Sequence, residues 1–171
     1  FIIRAIVKAL KEYPNFNSSL DLKKENLIYK KYFHIGIAVD TPHGLMVPKI
    51  RDADKKDITE LGKELKKITK LCIELKIPKK EFFGGSMTIS SLGSIGGSFF
   101  TPIINQPEVA ILGVGRAETK QVLKGNKYEN RIMLPISLSY DHRVIDGAEG
   151  ARFCVHLKES LGKDFAYKLA V

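Results

Sequence analysis

Two long apolar runs constrain the fold of this chain more than any other feature. The run "PEVAILGVG" covers Pro107–Gly115, and "RIMLPISLSY" covers Arg131–Tyr140. Continuous apolar segments of this length are typical of strands that are buried on both faces of a sheet. Met87–Leu92 predicts a further strand. Such a sheet needs other elements to cover it, so we expect helices elsewhere in the chain.

The helices that could cover this sheet have clear periodic patterns. Phe1–Tyr13 repeats apolar residues at helical spacing and ends at Pro14. "DITELGKELKKITKLCIELK" is the clearest helix, because Asp57 and Glu60 have capping-box spacing and an apolar stripe follows them. Further elements are a helix at Ala148–Leu161 and strands at Asn26–Lys31, Tyr32–Val39 and Leu45–Ile50. We therefore predict an α/β fold, a two-layer sandwich of a mixed β-sheet packed with helices.

Composition and charge weigh against several classes of function. The chain has 171 residues, of which 44% are apolar, so it can form one domain, and no apolar run approaches the length of a membrane span. The net charge of +9 suggests nucleic acid, but the lysines are scattered over helix faces and no nucleic-acid motif accompanies them. Metal-ligand spacing is missing among His34, His43, His142, His156, Cys72 and Cys154. We expect no metal, no membrane and no nucleic acid, and we interpret both cysteines as reduced core residues.

The stretch "SYDHRVIDG" (Ser139–Gly147) carries the strongest chemical signal. His142 lies between a predicted strand and the predicted C-terminal helix, where a side chain can be oriented rigidly. An imidazole with an ordinary pKa can remove a proton from a thiol or an alcohol near neutral pH. Asp146 could hold the turn by pairing with an arginine, and Gly147 permits a sharp exit from it. Taken alone, the pattern also fits a turn with no catalytic role.

Longer strings around this motif resemble a known family. "LPISLSYDHRVIDGAEGARF" resembles the catalytic signature of the acyltransferase components of 2-oxo acid dehydrogenase complexes. "FHIGIAVDTPHGLMVPKIRDADKKDITEL" and "GGSMTISSLGSIGGSFFTPIINQPEVAILGVG" resemble other blocks of that family in the same order, and together they cover most of the chain from about His34 onward. The resemblance implies a chloramphenicol acetyltransferase-like fold. "TISSLG" and "TPIINQPEVAILGVG" look most like the pyruvate-type, acetyl-transferring branch.

The resemblance also implies a reaction and a role for each site residue. The reaction is transfer of an acetyl group between dihydrolipoamide and coenzyme A. His142 is similar in position to the family's general base, Ser90 to the hydroxyl that stabilises the oxyanion, and Asp146 to the acid that holds the turn through an arginine. Phe100 and Thr101 are expected to contact coenzyme A. Transfer of a succinyl or branched-chain group, transfer to free small acceptors and a non-catalytic structural core remain alternatives.

Partners and domain content follow from the same resemblance. Coenzyme A is expected as a substrate, and the lipoyl group is expected on another domain. The family site lies between the subunits of a homotrimer, which assembles into a larger cage with the decarboxylase and dihydrolipoamide dehydrogenase components. Residues 1–171 are expected to form one acyltransferase catalytic domain without its N-terminal segment, which would supply the arginine partner of Asp146, and without a lipoyl or subunit-binding domain. The expected compartment is the cytoplasm of a bacterium, or the mitochondrial matrix or a plastid of a eukaryote.

Overall fold

A computed structural model describes residues 1–170 of the chain, with side chains up to Leu169. The helices are α1 (Ile2–Glu12), α2 (Ile58–Ile73), α3 (Gly147–Ser160) and α4 (Phe165–Ala170). The strands are β1 (Ser18–Asp21), β2 (Asn26–Tyr29), β3 (Ile35–Ile37), β4 (Val39–Thr41), β5 (Gly44–Met46), β6 (Lys49–Ile50), β7 (Met87–Ser91), β8 (Ala110–Val114), β9 (Glu118–Lys124), β10 (Lys127–Met133) and β11 (Ile136–Tyr140). No helix in the described part of the chain is long and apolar enough to span a membrane.

The centre of the molecule is a five-stranded mixed sheet with the order β11-β8-β7-β3-β6. Strands β3, β7 and β8 run parallel, whereas β11 and β6 are antiparallel to their neighbours at the two edges. Three two-stranded hairpins, β1–β2, β4–β5 and β9–β10, complete the described sheets. The predicted α/β fold with a mixed sheet is therefore confirmed.

One face of this sheet forms the hydrophobic core together with the helices. Side chains alternate between faces along a strand, so β7 directs Met87 and Ile89 to one side and Thr88 and Ser90 to the other. The buried cluster on the apolar side contains Ile35, Met87, Ile89, Leu112, Ile6, Leu10, Phe16, Phe153 and Leu157, which come from the sheet, from α1 and its following turn, and from α3. The rings of Phe16 and Phe153 stack with centroids 4.0 Å apart.

The helices agree closely with the sequence patterns that predicted them. The capping box of α2 is present, since the Glu60 amide donates to Asp57 at 2.7 Å and the Asp57 amide donates to the Glu60 carboxylate at 2.9 Å. These bonds satisfy two amides that the first turn of a helix leaves without partners. Helix α2 ends at Ile73, before the end of the predicted stretch at Lys76, and Leu75 adopts a left-handed backbone with φ of 54°.

The prediction of one buried strand over Arg131–Tyr140 is wrong. Residues 131–133 belong to β10 and pair with β9 in an exposed hairpin, and β11 begins only after Pro135. Proline lacks the amide that a continuous ladder needs, which explains the break. The predicted strand Leu45–Ile50 is interrupted in the same way at Pro48, and the strand predicted at Tyr32–Val39 begins only at Ile35 and is divided at Ala38.

Candidate active site

His142 lies in a short turn that is fixed on both sides. The Asp141 amide donates to the Val109 carbonyl at 2.8 Å, and the amides of Val144 and Ile145 both donate to the Asp141 carbonyl at 3.0 Å. Ile145 is fully buried, whereas the His142 side chain is exposed. The turn therefore presents the imidazole to the outside on a rigid backbone.

Aromatic packing anchors the turn to helix α3. The Tyr140 ring lies against Gly150, where a Cβ would be only 2.8 Å from a ring carbon, so glycine lets α3 approach the end of β11. The His142 ring centroid is 5.7 Å from that of Tyr140. Neither ring nitrogen of His142 has a hydrogen-bond partner among the described residues, which leaves both available to a substrate or to another chain.

The arginine of the turn pairs with Asp141 and not with Asp146. Arg143 donates from Nε and from a terminal nitrogen to the two Asp141 oxygens, at 2.9 and 2.7 Å. These hydrogen bonds lower the pKa of Asp141 below its usual value. This bidentate pair was not predicted from the sequence, although an aspartate and an arginine two positions apart in a turn could have indicated it.

Asp146 makes a contact that was not predicted from the sequence. Its carboxylate accepts the Glu149 amide at 2.7 Å, so Asp146 is the N-cap of α3. No arginine lies within ion-pair distance of Asp146 in the part of the chain that the structure describes. The predicted arginine partner was placed upstream of Phe1, so the pairing stays a prediction.

Ser90 lies on the face of the central sheet opposite the hydrophobic core, called here the polar face, which also carries Thr88. It pairs with Gly113 of β8, which pairs in turn with Ser137 of β11, and residues paired in this way share a face. Ser90 is half-buried and Ser91 is exposed. Helix α3 and the core lie on the opposite face, so the Ser90 hydroxyl is directed away from them.

The two residues that are predicted to contact coenzyme A, Phe100 and Thr101, lie in the connection between β7 and β8. The Phe100 ring covers Gly113, where a Cβ would be 3.0 Å from a ring carbon. Because Gly113 pairs with Ser90, the ring lies beside the serine on the polar face. Thr101 is exposed. The structure thus brings Phe100 to Ser90, and the binding role of both residues stays a prediction.

Ser90 and His142 of one chain lie at opposite ends of the sheet. Tyr140 pairs with Ala110, which is level with Met87 at the start of β7, whereas Ser90 is near the end of that strand. From a rise of ~3.3 Å per residue and a spacing of ~4.8 Å between strands, the two residues are on the order of 15–20 Å apart. A reacting centre cannot contact both residues of a single chain.

A buried cluster of charges on the polar face was not predicted from the sequence. The Lys49 ammonium lies 2.6 Å from the Glu108 carboxylate, and both side chains are 1% exposed. Lys30 lies nearby and donates to the carbonyls of Ser18 and Gly85 at 3.0 and 2.8 Å. Burial lowers the pKa of Lys30 to about 8, because desolvation outweighs the attraction of Glu108.

The other three histidines make separate contacts. His34 accepts the Asp52 amide at Nδ1 at 3.0 Å, and burial lowers its pKa. His43 is exposed, and His156 packs its ring against Tyr13. Cys72 and Cys154 are both free thiols; Cys72 is buried as predicted, but Cys154 is half-buried and so is not a core residue. The described residues contain no cluster of ligands that could hold a metal ion.

Comparison with known proteins gives a family that matches almost the whole chain. The 2-oxoacid dehydrogenases acyltransferase (catalytic domain) family matches residues 1–166. The dihydrolipoyllysine-residue acetyltransferase component of the pyruvate dehydrogenase complex of Cupriavidus necator is 53% identical over 161 residues. This match covers 94% of the chain but only 29% of the relative, so the chain spans less than a third of that protein.

Solved structures agree with this match. The dihydrolipoamide acetyltransferase of Azotobacter vinelandii, in which a serine, a histidine and an asparagine were investigated for their role in catalysis, has a TM-score of 0.93 and 50% identity. That match covers 98% of this chain and 68% of the other. The cubic core of a pyruvate dehydrogenase multienzyme complex has a TM-score of 0.94 and 49% identity, over 98% and 69% of the two chains.

A more distant structure shares the fold alone. Chloramphenicol acetyltransferase has a TM-score of 0.60 at 15% identity, over 94% of this chain and 76% of that enzyme, which confirms the predicted fold. The motif that contains His142, the mixed sheet and the close relatives all lead to one assignment. The chain belongs to the family of 2-oxoacid dehydrogenases acyltransferase catalytic domains.

Proposed function

We propose that this domain transfers an acetyl group between dihydrolipoamide and coenzyme A within a pyruvate dehydrogenase-type complex. The observation that carries the proposal is the placing of three residues along the chain. In the Azotobacter vinelandii enzyme the investigated serine, histidine and asparagine are separated by the same numbers of positions as Ser90, His142 and Asp146. The Cupriavidus necator relative is named for acetyl transfer, which supports this choice of acyl group.

His142 is the general base of the proposed reaction. A thiol with an ordinary pKa of ~8.5 is mostly protonated at neutral pH, so attack on a thioester needs a proton acceptor. The exposed imidazole removes the proton from the coenzyme A thiol, and the thiolate attacks the carbonyl carbon of acetyl-dihydrolipoamide. When the tetrahedral intermediate collapses, the bond to the dihydrolipoyl sulfur breaks, and the imidazolium returns its proton to that sulfur.

Ser90 stabilises the negative oxygen of the tetrahedral intermediate. Its hydroxyl has no hydrogen-bond partner within the described residues, so it can donate to an oxyanion without first losing another contact. A single donor of this kind typically contributes ~10²–10³ to kcat. The neighbouring Phe100 ring offers an apolar wall beside the serine, and we propose that Phe100 and Thr101 contact coenzyme A there.

Asp146 orients the turn that carries His142. The corresponding residue by spacing in the Azotobacter vinelandii enzyme is an asparagine. Aspartate and asparagine are both good N-cap residues, because either side chain can accept the amides at a helix start. Capping of α3 is therefore a role that both residues can perform, and we propose it as the contribution of Asp146 whether or not an arginine also binds there.

We propose that each active site combines His142 of one chain with Ser90 of a neighbour. The separation of these residues within one chain supports this arrangement, because a site in a single chain would lack one of them. A ring of three copies would repeat the contact three times by symmetry. By analogy with the cubic core of the related complex, such trimers would join into a cage.

The remaining partners follow from the reaction itself. Coenzyme A enters as a substrate, and the acetyl group arrives on a lipoyl group that another domain carries. Oxidative decarboxylation must supply the acetyl group, and the dihydrolipoyl product must be reoxidised, which the decarboxylase and dihydrolipoamide dehydrogenase components would do. Bacterial relatives support the bacterial cytoplasm as the compartment.

Mixed assemblies of two inactive variants test the shared site. The full-length protein that contains this domain is produced as Ser90→Ala, as His142→Ala, and with both variants co-expressed. The assay follows acetyl transfer between acetyl-CoA and dihydrolipoamide. In random mixed assemblies, about a quarter of the sites combine an intact histidine from one variant with an intact serine from the other.

Co-expression should therefore restore about a quarter of the wild-type activity under this arrangement. The double variant Ser90→Ala/His142→Ala, co-expressed with the wild type, is the control for assembly. Mixed assemblies that are no more active than the single variants would contradict the shared site. A wild-type protein that forms no acetyl-dihydrolipoamide would contradict the proposed reaction itself.

A further inference from the structure

A buried carboxylate on the polar face of the sheet joins three separate parts of the chain. Glu108 pairs with Lys49 of β6 at 2.6 Å, and it accepts the Thr88 hydroxyl of β7 at 2.6 Å. The Asn105 side chain donates to the same carboxylate at 3.2 Å from the connection between β7 and β8. Both Glu108 oxygens are thus occupied by groups from β6, β7 and the connection.

Two glycines make the room that this cluster needs. A Cβ at Gly36 would lie 2.4 Å from the Thr88 hydroxyl and 2.7 Å from the Lys49 ammonium, and a Cβ at Gly85 would lie 2.1 Å from a Glu108 oxygen. Neither glycine has a positive φ, so the backbone conformation does not require glycine at these positions. The absence of a side chain is what both positions contribute, and it admits the ion pair.

Stability alone does not account for such a cluster. Removing both charges from water carries a large desolvation penalty, and replacing an ion pair by apolar residues of the same volume often leaves a protein equally stable or more stable. In some proteins buried charged groups are retained because they specify one arrangement of the surrounding elements.

The cluster touches each of the elements that carry the proposed site. Thr88 precedes Ser90 by two residues on the same face of β7. Asn105 lies in the connection that places Phe100 over Gly113. Glu108 is followed by Val109, whose carbonyl accepts the amide of Asp141, the residue before His142.

We infer that the cluster of Lys49, Thr88, Asn105 and Glu108 is a positioning unit, in which Glu108 fixes the strand of Ser90 and the Phe100 connection relative to each other. The inference rests on the proposed acetyl transfer. These residues do not contact the reacting atoms and act through Ser90. A misplacement of about 1 Å in such a shell can cost ~10²-fold in rate, which sets the scale of the effect.

Substitutions at Thr88 test the inference with little change of volume. Thr88→Val removes the hydroxyl that binds Glu108, and Thr88→Ser keeps it. In the assembled full-length protein, Thr88→Val should lower kcat roughly tenfold to a hundredfold, with the KM for coenzyme A near the wild-type value. Thr88→Ser should retain most of the wild-type kcat, because the hydrogen bond is preserved.

A second variant separates positioning from stability. Lys49→Met/Glu108→Leu removes both charges and keeps apolar volume, and it should also lose kcat even where its melting temperature equals that of the wild type. Wild-type kcat in both Thr88→Val and this double variant would overturn the inference. If the double variant does not assemble, the kcat of Thr88→Val is compared with that of Thr88→Ser, and equal values would overturn the inference. A wild-type protein without acetyl transfer contradicts the proposed function and is recognised before any variant is measured.

Discussion

The two faces of the central sheet differ in the kind of residue that they carry. On one face, Ile35, Met87 and Leu112 are fully buried and pack into a single core with the helices. On the other face lie the hydroxyls of β7, a lysine of β6 and the buried carboxylate of Glu108, which precedes β8. The apolar face needs only shape and volume, whereas the polar face must satisfy every donor and acceptor. Substitutions on the two faces should therefore have different kinds of effect.

The largest effect should come from the exposed turn at the end of the polar face. His142→Ala removes the proposed base, and we expect kcat to fall by ~10²–10⁴ with the KM for coenzyme A nearly unchanged. Higher pH should recover part of the rate, since solvent then supplies the thiolate. The measurement is kcat against pH in the assembled protein, and near wild-type kcat at neutral pH would show that the motif is only a turn.

Ser90→Ala should have the next largest effect and a different pH profile. Loss of one oxyanion donor should lower kcat by ~10²–10³, or about 3–4 kcal/mol in the barrier. Extra thiolate does not replace a missing donor, so higher pH should not raise this variant more than the wild type. The same kcat profiles check it, with melting temperature as the control for folding. Recovery equal to that of His142→Ala would contradict the division of roles.

A substitution on the apolar face should lower stability and leave kcat unchanged. Leu112 is fully buried in β8, directly between two residues of the polar face, Ile111 and Gly113. Leu112→Ala should lower the free energy of unfolding by about 2–5 kcal/mol through lost packing and a residual cavity. The kcat of the folded, assembled fraction should stay close to wild type. A loss of kcat like that of Ser90→Ala, at a temperature where the variant is fully folded, would break the distinction between the faces.

The apolar face could be predicted from the sequence far better than the polar face. Periodicity located α1, α2 and α3, and the spacing of Asp57 and Glu60 predicted the cap of α2 because capping depends on near neighbours in the chain. Lys49 gave no such signal, since lysine is almost always exposed and its partner Glu108 is 59 positions away. The hairpin β9–β10 was missed because neither of its faces is buried, so it lacks the apolar alternation of a half-buried strand.

The proposed site residues were predicted from family resemblance, whereas their positions relative to each other depend on the order of the strands. No spacing in the sequence shows that Ser90 and His142 of one chain lie at opposite ends of the sheet. That follows only from the parallel pairing of β7 with β8 and the antiparallel pairing of β8 with β11. Resemblance therefore provides the proposed site residues, and the strand order supports the proposal that two chains supply them.

Asp146 should affect both stability and kcat, because it caps a core helix and holds the turn of His142. Asp146→Ala should lower the free energy of unfolding by about 0.5–2 kcal/mol, the usual value of an N-cap. It should also lower kcat, since the turn is then held less firmly. Asp146→Asn should restore both quantities, measured by urea unfolding and by acetyl transfer. Failure of asparagine to restore kcat while it restores stability would indicate that the negative charge has a separate role.

A further expected effect is a dependence of stability on pH, which comes from Lys30 beside the buried ion pair and not from the apolar face. Burial lowers the pKa of Lys30 to about 8, from 10.5 for an ordinary lysine, even though Glu108 partly opposes the shift. Between these two values the unfolded chain holds a proton that the folded chain has lost, so the free energy of unfolding should rise with pH in that range. Below about pH 8 both states are protonated, and this contribution should be constant.

Lys30→Met should remove the rise, whereas Lys31→Met, at an exposed neighbour, should keep it. Urea unfolding from pH 7 to pH 10 measures the free energy of unfolding of each variant. The titration of other groups cancels in the difference between variants. Equal slopes of this free energy against pH for wild type and Lys30→Met would show that Lys30 keeps its proton in the folded protein.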